Sequence, residues 1–252
     1  MTASKEFFEA RDLLLRHRTD YDRAYREFTW PVLGNFNWAL DYFDVIACRN
    51  ENPALWIVDN PEHKGTRLSF VQMSERSARL ANFLRGLGVG RGDRLLLMLP
   101  NRAELWDVML AAMKLGAIVL PATPQLSADD VRDRVQVGGA NVVVVSSAET
   151  AKFDALDAKL TRVSVGAPRD GWIDLSAGYK ASPEFAPDAL THATDPMLLY
   201  FTSGTTSKPK LVEHTHESYP VGHLSTMYWI GLQPGDIHST GCEFPPRSDG
   251  MR

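Results

Sequence analysis

The sequence has 252 residues, of which 44% are hydrophobic, and its formal net charge at pH 7 is −4. This length is enough for one large domain or two small ones with a buried core, and the evenly spread basic residues give no sign of a nucleic-acid partner. No apolar run approaches the roughly 18 residues of a membrane helix, and the two cysteines form no disulfide or metal pattern, so we expect a reduced, cytoplasmic protein without a membrane partner.

The N-terminal residues 1–65 are predicted to be a helical and extended segment. One charged helix is expected from about Lys5 to Phe28, and Pro31 follows its end. Residues 31–49 then carry apolar groups at helical spacing, and Leu55–Asp59 is a short strand candidate.

Residues 66–238 alternate between short apolar strands and amphipathic helices. Ser69 with Gln72 and Ser127 with Asp130 are helix-start patterns, and Gly116 is a predicted helix stop. Predicted strands cover residues 94–99, 117–121, 141–147, 162–166 and 197–202, and predicted helices follow at 101–115, 128–137 and 148–160. This order predicts an α/β fold built of parallel βαβ units.

The glycine-rich stretch GLGVGRGD, Gly86–Asp93, is interpreted as a helix stop and a tight turn. Dinucleotide-binding glycine motifs follow a strand and open a helix, whereas these glycines follow a helix and precede a strand. The order of the elements therefore favours a turn over a nucleotide site.

Several other polar groups are weak site candidates. His214 and His216 form an H-x-H pair near His223, but no third ligand stands at a recognisable interval, so solvated or capping histidines are expected. Asp129, Asp130 and Asp133 form a possible acid cluster, but at the start of a predicted helix they fit the positive end of its dipole better than a catalytic role. Ser203 and Thr205 lack an identifiable histidine and acid that would make either a nucleophile.

The stretch TSGTTSKPK follows the last predicted strand and is the main candidate site. Gly204 permits backbone N–H groups to converge on an anion, and Pro209 stiffens the exit. Hydroxyl groups come from Thr202, Ser203, Thr205, Thr206 and Ser207, and positive charge comes from Lys208 and Lys210. These groups suit phosphate oxygens, although a surface loop that is simply polar remains the alternative.

FTSGTTSKPKLVEH resembles the phosphate-binding signature of the adenylate-forming (AMP-binding) synthetases, usually [YF]TSGTTGxPKG. The resemblance extends over about residues 34–237, and FNWALDYFD with the Glu213-His214 pair resembles the acyl-CoA synthetase branch, especially its acetyl- to medium-chain types. It implies the first part of the large N-terminal domain of that fold. Two positions depart from the signature: Ser207 and Leu211 stand where glycine is usual, and serine would cost of order 1 kcal/mol if position 207 requires positive φ.

The resemblance implies an ATP-dependent acid–thiol ligase. A small carboxylic acid would be activated as an acyl-adenylate and then transferred to coenzyme A, with Mg²⁺ accompanying ATP. Residues 202–210 would hold the β- and γ-phosphates.

The family's later Thr-Glu and Gly-Asp segments and its C-terminal catalytic lysine are not found in this sequence. Residues 239–252 have no apolar periodicity and are expected to be an unstructured tail. We therefore expect a truncated or frameshifted chain that is inactive alone. The alternatives are a non-catalytic ATP-binding or dimerisation module and a polyphosphate-binding domain unrelated to adenylation.

Overall fold

The structure is a computed structural model that describes residues 3–58, 65–156, 159–202 and 210–239. The α-helices in this part of the chain are α1 (Ala3–Arg16), α2 (Tyr21–Glu27), α3 (Asp44–Ala47), α4 (Phe70–Gly86), α5 (Ala103–Leu115), α6 (Ala128–Gly138) and α7 (Ser218–Ile230). A π-helix, Trp38–Phe43, precedes α3, and two 3₁₀ helices cover Ser147–Phe153 and Leu175–Lys180.

Within the described residues, seven strands form one large sheet in the order β7-β6-β5-β3-β4-β8-β9. Neighbouring strands are parallel except β8 and β9, which are antiparallel. The strands are β3 (Arg94–Met98), β4 (Ile118–Pro121), β5 (Val142–Ser146), β6 (Thr161–Val165), β7 (Ile173–Asp174), β8 (Pro196–Thr202) and β9 (Lys210–Thr215), while β1 (Pro53–Ile57) and β2 (Thr66–Ser69) form a separate antiparallel pair. The predicted α/β fold with a mostly parallel sheet is confirmed.

The central strand β3 is buried on both faces because helices cover the sheet on both sides. Leu95 and Leu97 pack in a core with α4 and α5, whereas Leu96 and Met98 pack in a second core with α6 and Phe153. Alternate residues of a strand point to opposite faces, which explains the nearly continuous apolar run.

Local sequence patterns correctly predicted the starts of α4 and α6 and the end of α5. Ser69 and Ser127 each form a capping box at the start of α4 and α6. Gly116 and Gly139 follow α5 and α6 in the left-handed conformation, which glycine adopts without a steric penalty. In the glycine-rich stretch, Gly88 has a φ of 90° and the chain turns there, as predicted.

The single predicted helix from Lys5 to Phe28 is wrong, since α1 and α2 are separate helices. The Asp20 carboxylate accepts a hydrogen bond from the Arg23 backbone N–H at 3.0 Å, and this caps the new helix. The side chain competes with the helical backbone for hydrogen bonds, so the chain turns before α2.

The helix predicted over residues 148–160 is also wrong, because the described part contains only the 3₁₀ helix. Phe153 is fully buried, and Arg169 donates hydrogen bonds to Thr150 and to the carboxylate of Asp154. These contacts hold the segment against the sheet. Strands β2, β7 and β9 were not predicted.

The N-terminal segment is joined to the sheet region by buried polar contacts. The Asn37 side-chain amide donates to the carbonyl oxygen of Met113 at 2.6 Å. Lys114 is 1% exposed, and its Nζ lies 2.9 Å from Asp44 Oδ2 and 3.0 Å from the carbonyl oxygen of Ser74. The predicted boundary between the N-terminal segment and the α/β domain, at residues 65 and 66, stays a prediction. Of the predicted tail, residues 240–252 lie outside the described residues.

No described helix combines the length and hydropathy that crossing a membrane requires. Cys48 is a free, exposed thiol, and Cys242 lies outside the described residues.

Candidate functional site

The predicted phosphate-binding loop leaves the sheet at the carboxyl end of β8. Its first residue, Thr202, and its last, Lys210, are partners across the β8–β9 ladder, and both are exposed. Thr202 Oγ1 lies 3.4 Å from the carbonyl oxygen of Lys210. The remaining candidate residues lie outside the described residues: Ser203, Gly204, Thr205, Thr206, Ser207, Lys208 and Pro209. The hairpin thus positions the two ends of the candidate loop.

The loop ends lie at the sheet edge where ligands of such folds usually bind. Strand β8 is parallel to β4, and β4 is parallel to β3, so the segments after all three strands meet at one edge. Ligands of open α/β sheets bind outside the carboxyl ends of the strands. The topology therefore agrees with a binding loop at residues 202–210.

Strand β9 explains the unusual leucine at position 211. Leu211 is paired with Phe201 of β8, and both side chains pack against the core on the α6 face of the sheet. The Arg134 guanidinium of α6 lies 4.2 Å from the centre of the Phe201 ring. A glycine at position 211 would remove this packing, so here leucine supports the strand that carries Lys210.

An aromatic and histidine cluster lies beside the hairpin. We call Tyr200, His214, Tyr219 and His223 the ring cluster. The His214 and Tyr219 rings are 5.1 Å apart, and the Tyr219 and His223 rings are 4.3 Å apart. The Tyr200 and Tyr219 hydroxyl oxygens are 3.4 Å apart. Burial, followed by this hydrogen bond, raises the pKa of Tyr200, so its hydroxyl stays neutral and can donate or accept.

Sequence reasoning missed the two tyrosines of the ring cluster. A signal was present, because Tyr219 and His223 are four residues apart and share one face of α7. The sequence did not show that β8 and β9 pair as a hairpin, so the strand residues of the ring cluster could not be identified from it.

The prediction of solvated histidines is wrong for His216. Its side chain is fully buried, and Nδ1 accepts a hydrogen bond from the Trp38 backbone N–H at 3.4 Å. This contact assigns the proton to Nε2, which is buried and has no hydrogen-bond partner among the residues that the structure describes. Burial lowers the pKa of His216 to about 4, although the Asp195 charge acts in the opposite direction. His216 is therefore a neutral core residue at pH 7.

No metal centre is found in the described part of the chain. None of its histidine, cysteine, aspartate and glutamate side chains come together in a group of three that could hold an ion. Asp129 and Asp130 instead occupy the first turn of α6, as expected from the helix dipole.

Comparison with known sequences identifies the family. The sequence model of the AMP-binding enzyme family matches residues 44–240. Acyl-coenzyme A synthetase ACSM5, mitochondrial, of Mus musculus is 34% identical over 220 residues, which are 82% of this chain and 38% of that protein. The human protein of the same name is 33% identical over 215 residues, 80% of this chain and 37% of its own length.

Solved structures share the fold. The Brucella canis acyl-CoA synthetase superposes with a TM-score of 0.71 at 24% identity, covering 86% of this chain and 42% of that chain. The acetoacetyl-CoA synthetase of Streptomyces lividans superposes with a TM-score of 0.71 at 25% identity, covering 82% of this chain and 35% of that chain. The chain thus spans less than half the length of each of these four relatives. Because the family match includes more than half of its residues, this protein belongs to the AMP-binding enzyme family.

Proposed function

We propose that this protein takes part in the ATP-dependent conversion of a small carboxylic acid to its coenzyme A thioester. The observation that carries this proposal is the β8–β9 hairpin, which positions Thr202 and Lys210 at the carboxyl edge of the sheet. The relatives named acyl-coenzyme A synthetase support the reaction class. An acid of acetyl to medium chain length is the proposed substrate.

The reaction has two displacement steps. A carboxylate oxygen of the acid attacks the α-phosphorus of ATP, and pyrophosphate leaves to give the acyl-adenylate. The thiolate of coenzyme A then attacks the acyl carbon, and AMP leaves. Lys210 and the hydroxyl of Thr202 would bind the β- and γ-phosphate oxygens, because charge on these oxygens grows as pyrophosphate departs.

Magnesium is proposed as part of the MgATP substrate and not as a resident ion. The side chains of residues 202–210 offer hydroxyl and ammonium groups, which fit phosphate oxygens, and they include no carboxylate, the side chain that most often binds Mg²⁺. A bound Mg²⁺ would neutralise phosphate charge during the displacement.

Replacing Lys210 with alanine is expected to weaken MgATP binding about tenfold, since it removes one charge-assisted hydrogen bond to phosphate. Isothermal titration calorimetry of the 252-residue chain measures this effect. Lys5→Ala is the matched control, because Lys5 is an exposed lysine on α1. Equal affinities for the wild type and Lys210→Ala would contradict the phosphate-binding role.

The alternative is a non-catalytic ATP-binding module, which would use the same hairpin residues, Thr202 and Lys210, without adenylation. We expect the 252-residue chain to bind ATP without acid-dependent ATP–pyrophosphate exchange. Exchange that Lys210→Ala abolishes would show that these residues alone suffice for adenylation.

A cytoplasmic location is also proposed, on the basis of the ordinary charge and of two cysteines that form no disulfide pattern in the sequence. The matched curated relatives carry the word mitochondrial in their names. Cell fractionation followed by immunodetection decides between the two compartments.

A further inference from the structure

A cavity lies near the amino-terminal end of β8, away from the candidate phosphate loop. It is formed by the start of α1, by residues 32–41 and by residues 187–191, and its volume is about 520 Å³. Residues 187–191 precede β8, whereas the loop follows that strand. Seven strand residues span roughly 20 Å, so the cavity is separate from the proposed ATP site. Its volume lies within the usual range for small-molecule sites.

Hydrogen bonds hold the buried floor of this cavity, Asn37 and Thr191, in place. Asn37 Nδ2 donates to Thr191 Oγ1 at 3.0 Å, and Asn37 Oδ1 accepts from the backbone N–H groups of Ala39 and Leu40 at 3.1 and 3.3 Å. The Phe36 backbone N–H donates to the carbonyl oxygen of Thr191 at 3.0 Å. Because these bonds join the N-terminal segment to the chain before β8, the cavity is preformed, as most small-molecule sites are.

The charged side chains that line the cavity are acidic. Glu6 and Asp41 contribute carboxylates, and no lysine, arginine or histidine of the described chain lines it. Asp41 Oδ2 accepts from the Asn37 backbone N–H at 2.7 Å, which leaves Oδ1 available. The Glu6 carboxylate makes no ion pair with another described residue. The cavity therefore attracts a positive charge and repels the anionic groups of ATP, coenzyme A and carboxylic acids.

The rest of the lining favours an organic cation over a metal ion. Leu40, Pro187 and Leu190 give the cavity an apolar side, which suits hydrocarbon and not a hydrated ion. Among the described residues, no group of three histidine, cysteine, aspartate or glutamate side chains could hold a metal ion. A ligand that fits both parts of the lining has one positive charge and an apolar body.

We propose that this cavity binds a small organic ammonium ion with a hydrocarbon body. The ammonium group would donate charge-assisted hydrogen bonds to Glu6 and to Asp41 Oδ1. The hydrocarbon would pack against Leu40, Pro187 and Leu190. Such a ligand would bridge α1 and the segment that leads into β8. The proposal goes beyond the ligase reaction, because the substrates of that reaction are anionic.

Isothermal titration calorimetry of the 252-residue chain with hexylammonium chloride tests the proposal, at low ionic strength and without nucleotide. We expect saturable binding at one site, at least tenfold tighter than that of hexanol, which has the same hydrocarbon but no charge. Glu6→Gln and Asp41→Asn should each weaken binding about tenfold, since each removes a charged acceptor. Leu190→Lys should weaken it as much, because Leu190 is 70% exposed and the new ammonium would compete for the same carboxylates.

Glu9→Gln is the matched control. Glu9 lies on the same helix as Glu6 but outside the lining of the cavity, and its side chain is 59% exposed. Its replacement changes the net charge by the same amount as Glu6→Gln, and we expect it to change the affinity for hexylammonium less than twofold. Circular dichroism verifies that all variants keep the helix content of the wild type.

Three results of the titrations would overturn the proposal. These are no detectable binding of hexylammonium, equal affinities for hexylammonium and hexanol, and equal weakening by Glu9→Gln and Glu6→Gln. Absence of binding would leave Glu6 and Asp41 only their favourable positions in the first turns of α1 and of the π-helix. Because no nucleotide is present, these results are independent of the proposed ligase function.

A competition experiment verifies that the cavity and the ATP site are separate. Saturating MgATP should leave the affinity for hexylammonium unchanged within twofold, because the cavity and the phosphate loop lie at opposite ends of β8. Displacement of hexylammonium by MgATP would place the amine at the ATP site and would also overturn the proposal.

Discussion

Replacing Asp107 with alanine is expected to lower the free energy of unfolding by about 3 kcal/mol, which is at the lower end of the range for removing one partner of a buried ion pair. Asp107 is fully buried on α5, and its Oδ2 lies 2.6 Å from Arg76 Nη2 and 2.7 Å from the Tyr179 hydroxyl. The substitution leaves the charge of Arg76 without its partner. Because the Arg76 side chain is 31% exposed, water can compensate in part.

Urea denaturation of the wild type and the variant measures this loss. Asp129→Ala is the matched control, since Asp129 is 85% exposed and its ion pair with Arg132 lies on the surface of α6. Surface pairs of this kind contribute at most about 1 kcal/mol. If Asp107→Ala and Asp129→Ala lower the free energy of unfolding equally, burial does not strengthen the contribution of Asp107 to stability.

The second large effect is a dependence of stability on pH through His216. The pKa of this side chain is lowered from 6.5 in the unfolded chain to about 4 in the folded protein. Between pH 6.5 and about 4 the unfolded chain therefore binds more protons than the folded protein. The contribution of His216 to the free energy of unfolding is complete above pH 6.5 and is lost as the pH decreases toward 4. This difference in pKa corresponds to a loss of about 3 kcal/mol from this one group.

Unfolding by urea at several pH values between 7 and 4 tests this expectation. His216→Asn retains an acceptor near the Nδ1 position but cannot titrate, so its stability should decrease less over the same range. His223→Asn is the control, because His223 is exposed on α7. If His216→Asn keeps the full pH dependence of the wild type, protonation of His216 does not limit acid stability.

The site was only partly predictable from sequence. The spacing of TSGTTSKPK identified the loop, and the apolar run before it correctly identified β8. The ring cluster was not predicted, because it joins residues of β8, β9 and α7 through cross-strand and strand–helix contacts. The burial of His216 was likewise missed, since its surroundings include residues far away in sequence, such as Trp38, whose backbone N–H donates to Nδ1.

The sequence by itself determined the features that depend on a few adjacent residues. These are the capping boxes at Ser69 and Ser127, the stop at Gly116 and the alternation of strands and helices. Hydrogen bonds within a turn and the steric freedom of glycine act locally, so they can be read without knowing the fold.

Only the tertiary structure decided the order of the strands, the antiparallel β9 and the 3₁₀ helix Ser147–Phe153. The 3₁₀ helix shows the reason clearly, because its residues have a helical sequence pattern but Phe153 is buried against the sheet and Arg169 binds Thr150. Contacts between distant segments there outweigh the small free-energy differences of local propensity.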